Sequence, residues 1–396
     1  MSDTPDAAGR SFTRRLFLQA STSALTVTAL SGLLAACQAP APPTSATSAP
    51  APAATNASAP GATAAPAQAA TAAPAVASSG GGAPLGPKRK VILVPQDAGD
   101  WNAPARVGAR DFCALAGWEF QHLGNPVYSV ENHVEQVNNA IAAKPDIIIT
   151  ELENVGLVPV FQKAQAAGIT MVIFDQGIDT EAAKLGVAVV NQDEFAAGVI
   201  NGTQAATVAH KTLNKTEGIF GIGNGNPGAT SIDKRQNGTK QGIEDYNKAN
   251  GTNFTTDLFP DDEFFDANSS IQKWGAKLDQ YGDKLIGMIG VGNPTPMVKA
   301  LQAHGIDKGK VVVGSTDANP DILNLIDQGW VSWGIDQQFP AMGFLATTAG
   351  WLQLELGFPQ KTIRVGGELV TKDNLAAVKA RTDKWVAQAK QYGDLK

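Results

Sequence analysis

Cysteine and histidine are almost missing from this 396-residue chain, which holds Cys37, Cys113 and four scattered histidines, His122, His133, His210 and His304. Two cysteines build no disulfide framework, and the histidines have neither metal-ligand spacing nor an HExxH pattern, so no metal site and no resident cofactor are expected. No GxxxxGK[ST] phosphate loop and no GxSxG nucleophile elbow occur. Charge is sparse at 17%, and no long basic run is present, which argues against a dedicated nucleic-acid binder. Residues 37–87 carry no charged side chain at all, so residues 88–396 hold 28 basic and 35 acidic groups. The longest apolar stretch, Leu16–Ala36, is interrupted by Gln19, Ser21, Thr22, Ser23, Thr26, Thr28 and Ser31. A spanning helix wants about 20 mostly apolar residues, so a removable signal fits better than an anchor.

The start of the chain reads as an address. Ser11-Phe12-Thr13-Arg14-Arg15-Leu16-Phe17-Leu18 resembles a twin-arginine export signal, and Leu34-Ala35-Ala36-Cys37 resembles a bacterial lipobox. That resemblance implies cleavage before Cys37 and lipidation of the cysteine, against the plainer reading of a small-residue cleavage site with an incidental thiol. From Gln38 to Pro87, 45 of 50 residues are Ala, Pro, Gly, Ser or Thr. Such a segment buries too little apolar surface to offset its ordering entropy, so a disordered tether is expected. Its reach lies between roughly 40 Å as a coil and roughly 150 Å as polyproline II.

The remainder alternates. Short apolar runs at 91–94, 146–150, 170–175, 218–222, 285–289 and 310–314 read as buried strands. Amphipathic stretches near 103–116, 131–143, 155–167, 194–210, 232–249, 267–280 and 295–304 separate them. Alternation means parallel sheets covered on both faces, and two successive blocks mean two doubly wound lobes. Ligands in such folds sit beyond the carboxyl ends of the strands. Those ends carry Asp97, Asp100, Trp101 and Asn102; Asp175 and Gln176; Asn191, Gln192 and Asp193; Asn293; Asp317 and Asn319; and Asp336, Gln337 and Gln338. Planar acids and amides suit paired hydroxyls, and aromatic faces suit the C–H side of a ring, a vocabulary for holding a polyol.

In that order the segments resemble sugar-binding periplasmic proteins of the ribose type, the receptors of ABC importers, over about Lys88–Val378. The resemblance implies two lobes joined by a three-crossover hinge, the type I periplasmic binding protein architecture. Arg235, in Ser231 to Gly238, matches an arginine that clamps hydroxyls, and Phe265, beside Asp266, matches a stacking aromatic. Asn293 matches a cleft asparagine, Asp317 ends a V-V-G segment with one extra residue, Gln337 falls on a hinge strand, and Asp175 follows an I-x-x-D strand. Two departures stand out. Gly99-Asp100-Trp101-Asn102 replaces the family's Asn-Pro-aromatic, making Trp101 the stacking residue, and Gln176 stands where arginine is common.

Plainer roles remain open for each. Asp175 and Asp317 could cap helices or fix turns, Asn293 before Pro294 could serve only a turn, and Arg235 could pair with Glu244 or be solvated. Of the neighbours Phe264 and Phe265 one should be core and the other cleft, Gln337 and Gln338 differ by one register step, and Cys113 reads as a small buried hydrophobe. Gly223-Asn224-Gly225-Asn226-Pro227-Gly228 fits GxGxxG after a strand and before a helix, the context of an exported nucleotide-dependent oxidoreductase. Pro227 removes a backbone N–H that should face a pyrophosphate, and no acidic residue ends the next strand at the required distance. A repressor of the same fold would need a helix-turn-helix before the core.

The expectation is therefore an extracytoplasmic, lipid-anchored sugar receptor of an ABC importer, not an enzyme. It would be a monomer that closes on a monosaccharide or polyol and docks on a permease and, through it, an ATPase. Residues 1–36 form the signal and 37–87 the lipidated linker. The first lobe spans 88–192 with about 338–363, the second 193–337 with about 364–385, and 386–396 form a tail. Ligand contacts fall to Trp101, Asn102, Asp175, Gln176, Arg235, Phe265, Asn293, Asp317 and Gln337.

Overall fold

The apolar runs are strands because each is short, rich in β-branched residues and bounded by helix or turn signals. In the computed structural model, which describes residues 85–358 and 361–395, they assemble into two parallel sheets within one unit. The export signal, Cys37 and the linker up to residue 84 lie outside the described residues. Among the described residues no helix is long and apolar enough to cross a membrane.

The first sheet has the order β2-β1-β3-β4-β5-β11, built from β1 (Lys90–Val94), β2 (Glu119–His122), β3 (Ile147–Leu152), β4 (Thr170–Gly177), β5 (Ala188–Asn191) and β11 (Thr362–Arg364). The second has the order β7-β6-β8-β9, from β6 (Glu217–Asn224), β7 (Asn253–Pro260), β8 (Leu285–Ile289) and β9 (Val312–Gly314). Every pairing in both sheets is parallel. A short antiparallel pair, β10 (Gly334–Asp336) with β12 (Glu368–Val370), lies beside the crossings, and Trp333 bridges to Gly314. The chain passes between the sheets three times, at Asn191–Glu194, Asp336–Phe339 and Arg364–Glu368. The architecture is thus two doubly wound lobes with a three-crossover hinge.

Helices α1 (Ala103–Ala116) and α10 (Phe339–Leu356) pack on the same side of the first sheet, where Phe112, Trp118, Phe174 and Met342 share one apolar cluster. Opposite them, α2 (Val130–Ala142) and α3 (Val158–Ala166) close over Ile92, Ile148 and Phe161, and α4 (Asp179–Leu185) completes that face. The second sheet is covered by α5 (Glu194–Lys211) with α6 (Thr230–Asn250), and by α7 (Ala267–Tyr281), α8 (Thr295–Ala303) and α9 (Pro320–Gln328). Glycines permit two close helix contacts. A Cβ on Gly202 of α5 would lie 1.9 Å from the Thr239 carbonyl oxygen of α6, and one on Gly343 of α10 would lie 1.9 Å from that of Ala105 of α1.

Polar strand ends also start helices. Asp193 accepts from the Ala196 N–H at 3.0 Å and Asn319 from the Ile322 N–H at 3.0 Å, so both cap helices, α5 and α9. The expected tail is instead the end of a long helix, α11 (Leu375–Tyr392). The helix and the residues just after it fasten both lobes: buried Asp394, past the helix end, pairs with Arg110 of α1 at 2.8 Å, while Lys379 reaches Asp327 of α9 at 3.3 Å.

Candidate functional site

Parallel strands place their carboxyl ends, and the loops after them, on one edge of each sheet, and the crossings hold those edges face to face. Between them lies a cavity of about 570 Å³. Of the nine residues singled out from sequence, Trp101, Asp175, Gln176, Arg235, Asp317 and Gln337 line it together.

Arg235 organises the second-lobe wall. It projects from α6, is buried, and donates through Nε to the Glu194 carboxylate at 2.5 Å and through Nη2 to Gln337 Oε1 at 2.8 Å. Nη1 reaches the Val291 carbonyl oxygen at 3.3 Å and stands 3.9 Å from Asp317. One guanidinium therefore ties the start of α5, the loop after β8, the loop after β9 and the second crossing. Gln337 Nε2 in turn donates to Asp317, which fixes the register: Gln337, not Gln338, faces the cavity. Burial opposes the charge of Arg235, yet Glu194, Asp317 and Asp175 hold its pKa above the ordinary value. Glu244 plays no part in this, since it pairs with Lys240 at 3.7 Å.

The first-lobe wall is set by the loop after β1 and the end of β4. Trp101 Nε1 donates to Asp97 at 2.9 Å, and the ring meets Phe339 edge to face at 5.7 Å between centroids. Asp175 sits in the left-handed region at φ 55°, a backbone conformation that Asp tolerates better than most residues. It is 3% exposed, and its Oδ1 has no hydrogen-bond partner in the protein. Burial first, and Glu194 next, push its carboxyl up to about 7, with Arg235 countering. Gln176 crosses to the other lobe, accepting from the Ser231 hydroxyl of α6 at 3.0 Å. Lys234 and Asp179 span the same gap at 3.1 Å. The lobes are therefore in contact across the cleft.

Three expectations change. Phe265 is 67% exposed and turned away, while Phe264 lines the cavity, because residues 262–265 turn tightly (the Phe265 N–H donates to the Asp262 carbonyl oxygen at 3.0 Å). Asn102 is fully buried behind the loop, its amide donating to the Asp97 carbonyl oxygen at 2.9 Å, so it shapes the loop and does not line the space. Asn293 accepts from the Thr295 N–H at 3.0 Å and starts α8, the turn role left open above. Phe339 and Trp385 complete the wall and were not legible in sequence, since one opens a nearly uniform apolar helix and the other lies beyond the last paired strand.

The GxGxxG loop is filled by protein. A Cβ on Gly225 would lie 2.3 Å from the Phe264 ring and 3.1 Å from the Glu263 carboxylate, and one on Gly223 would lie 2.2 Å from the Asp261 carboxylate. Side chains, two of them acidic, occupy the ground a pyrophosphate needs, which removes the nucleotide reading of this loop.

A family model described as the periplasmic binding protein domain matches residues 91–357. No curated protein matches the chain. Among solved structures, a carbohydrate transporter from Acidothermus cellulolyticus 11B in complex with myo-inositol is 23% identical, covers 76% of this chain and 99% of its own, and superposes with a TM-score of 0.62. An ABC transporter periplasmic solute binding protein from Actinobacillus succinogenes 130z with bound D-allose is 21% identical, with coverage of 73% and 100% and a TM-score of 0.64. A solute binding protein from Burkholderia graminis C4D1M in complex with D-arabinose is 24% identical, with coverage of 72% and 96% and a TM-score of 0.62. At such identities the likeness to these structures is one of fold.

Proposed function

This chain belongs to the family of the periplasmic binding protein domain, and from that premise we propose that it is the extracytoplasmic sugar receptor of an ABC importer. One observation carries the reading: Trp101, Asp175, Arg235, Asp317 and Gln337, drawn from both lobes, line one cavity with the mixture of ring faces and planar hydrogen-bonding groups that a polyol requires. The solved structures of the same fold that hold myo-inositol, D-allose and D-arabinose support it. On this reading the protein binds and delivers and does no chemistry. The lobes close by hinge motion at the three crossings, and ligand shifts the population toward closure because contacts from both walls are complete only there. Lipidation at Cys37, the tether of residues 38–87 and docking of the closed form on a permease complete the proposal.

Thermal unfolding of the full chain against a panel of sugars and polyols tests it. A ligand at 100 times its dissociation constant stabilises by about 2.7 kcal/mol, a shift of a few degrees. Trp101→Ala should abolish the shift by removing the stacking face. A panel in which no polyol moves the midpoint sinks the reading.

A further inference from the structure

The cavity holds more acid than its protein partners neutralise. Asp97, Asp100, Asp175, Asp317, Asp321 and Asp336 line it, and Arg235 is the one basic residue doing so among the described residues. Asp336 is matched by Arg381 at 2.7 Å, whereas Arg235 is already taken at 2.5 Å by Glu194, a carboxylate that the cavity wall does not include. At least one negative charge per lobe is thus left facing the space. Asp175 makes this concrete. It is 3% exposed and lines the cavity, and its Oδ1 has no hydrogen-bond partner; Glu194 Oε1, behind Arg235, is likewise without one. A buried carboxylate oxygen left unpaired is costly, and a site that keeps one is incomplete without a donor, best a cationic donor. The upward displacement of the Asp175 carboxyl to about 7, caused first by burial and next by Glu194, agrees with a missing positive charge.

The shape of the missing partner follows from its surroundings. Among the described residues no three His, Cys, Asp or Glu side chains gather closely enough to hold a metal ion. The walls instead carry the rings of Trp101, Phe264, Phe339 and Trp385, which favour an organic guest and attract a cation to their faces. Gln176 and Gln337 offer neutral amides for hydroxyls. We propose that the guest is a polyol bearing a protonated amine, an amino sugar or amino alditol, whose ammonium group meets Asp175 while its hydroxyls meet Gln176, Arg235 and Gln337. This deepens the sugar-receptor reading and rests on it.

Calorimetric titration of the full chain at neutral pH with matched pairs decides the matter: D-glucose and D-glucosamine, D-galactose and D-galactosamine, D-mannose and D-mannosamine, sorbitol and D-glucamine. The expected result is one amine binding at least tenfold tighter than its hydroxyl partner, with Asp175→Asn, which keeps the tolerance for a left-handed backbone, reducing that ratio to near one. Gln176→Lys, which supplies a cation from the protein, should shift the preference toward the neutral partner. Neutral sugars binding as well as or better than their amines overturn the inference and leave the sugar-receptor reading standing. A preference for the amine that survives Asp175→Asn also overturns it. If no member of either class binds, both fall.

Discussion

Arg235 and Asp175 define the residue scale. Arg235 joins four segments distant in sequence, and its loss would leave the buried Glu194 carboxylate with the Gln192 amide but without a cationic partner. Breaking one side of a buried pair costs about 3–5 kcal/mol, so Arg235→Met should lower the unfolding free energy by that amount, seen as a lower denaturant midpoint, as well as weaken ligand binding. The double variant Arg235→Met with Glu194→Leu should recover much of the stability and none of the binding. Asp175 and Glu263 predict a pH dependence. Burial moves Asp175 from 3.8 to about 7 and Glu263 from 4.5 to about 8, so the folded chain holds these protons more tightly than the unfolded one. Their contribution is complete below the ordinary carboxylate values and is lost as pH rises through the shifted ones. The ligand-free protein should therefore lose stability between pH 4 and about 8, with a shallower slope in Asp175→Asn, as melting curves across that range will measure. Trp101, Asp175, Arg235, Asp317 and Gln337 were legible at this scale because each stands at a strand end or on a segment in family order. Asn102, Phe265 and Asn293 were not placed correctly, since a one-residue turn or a local hydrogen bond decides which neighbour faces the cavity.

At the scale of elements, the buried strands were legible because all-parallel sheets need continuous apolar runs; β8 matches its expected bounds of 285–289. Strands β2 and β7 were missed: both are edge strands, with exposed or half-buried residues along their length and so without such a run. Helix pairing depends on glycines whose role only packing reveals. Gly202→Ala should destabilise by about 1–3 kcal/mol despite a helix-propensity gain of about 1 kcal/mol, because the added methyl meets backbone at 1.9 Å and neither helix has a flexible side chain there to yield. Chemical denaturation checks it; an unchanged or raised midpoint would show that α5 and α6 can separate freely.

For the whole molecule, α11 is the element that matters most and that sequence described least. It joins α9 through Lys379 and, through Asp394 just past its end, α1, and its Trp385 forms part of the cavity wall. Truncation before Leu375 should abolish ligand binding and lower the melting midpoint, since buried Arg106 and the apolar contacts of Ala103 and Val107 with Ala389 lose their cover. Ligand should also compact the molecule: contacts such as Gln176 with Ser231 and Lys234 with Asp179 form only when the lobes meet. Small-angle scattering with and without ligand measures this, and equal radii of gyration would contradict closure. What the sequence determined alone was the order of strands and helices, the division into two blocks and the kinds of side chain at the strand ends, because hydrophobic period and turn chemistry are local. The tertiary structure decided which of those ends meet, which aromatic turns inward and how few cations stand among the acids, because these follow from three crossings that bring residues more than a hundred positions apart within hydrogen-bonding reach, as Arg235 and Gln337 at 2.8 Å demonstrate.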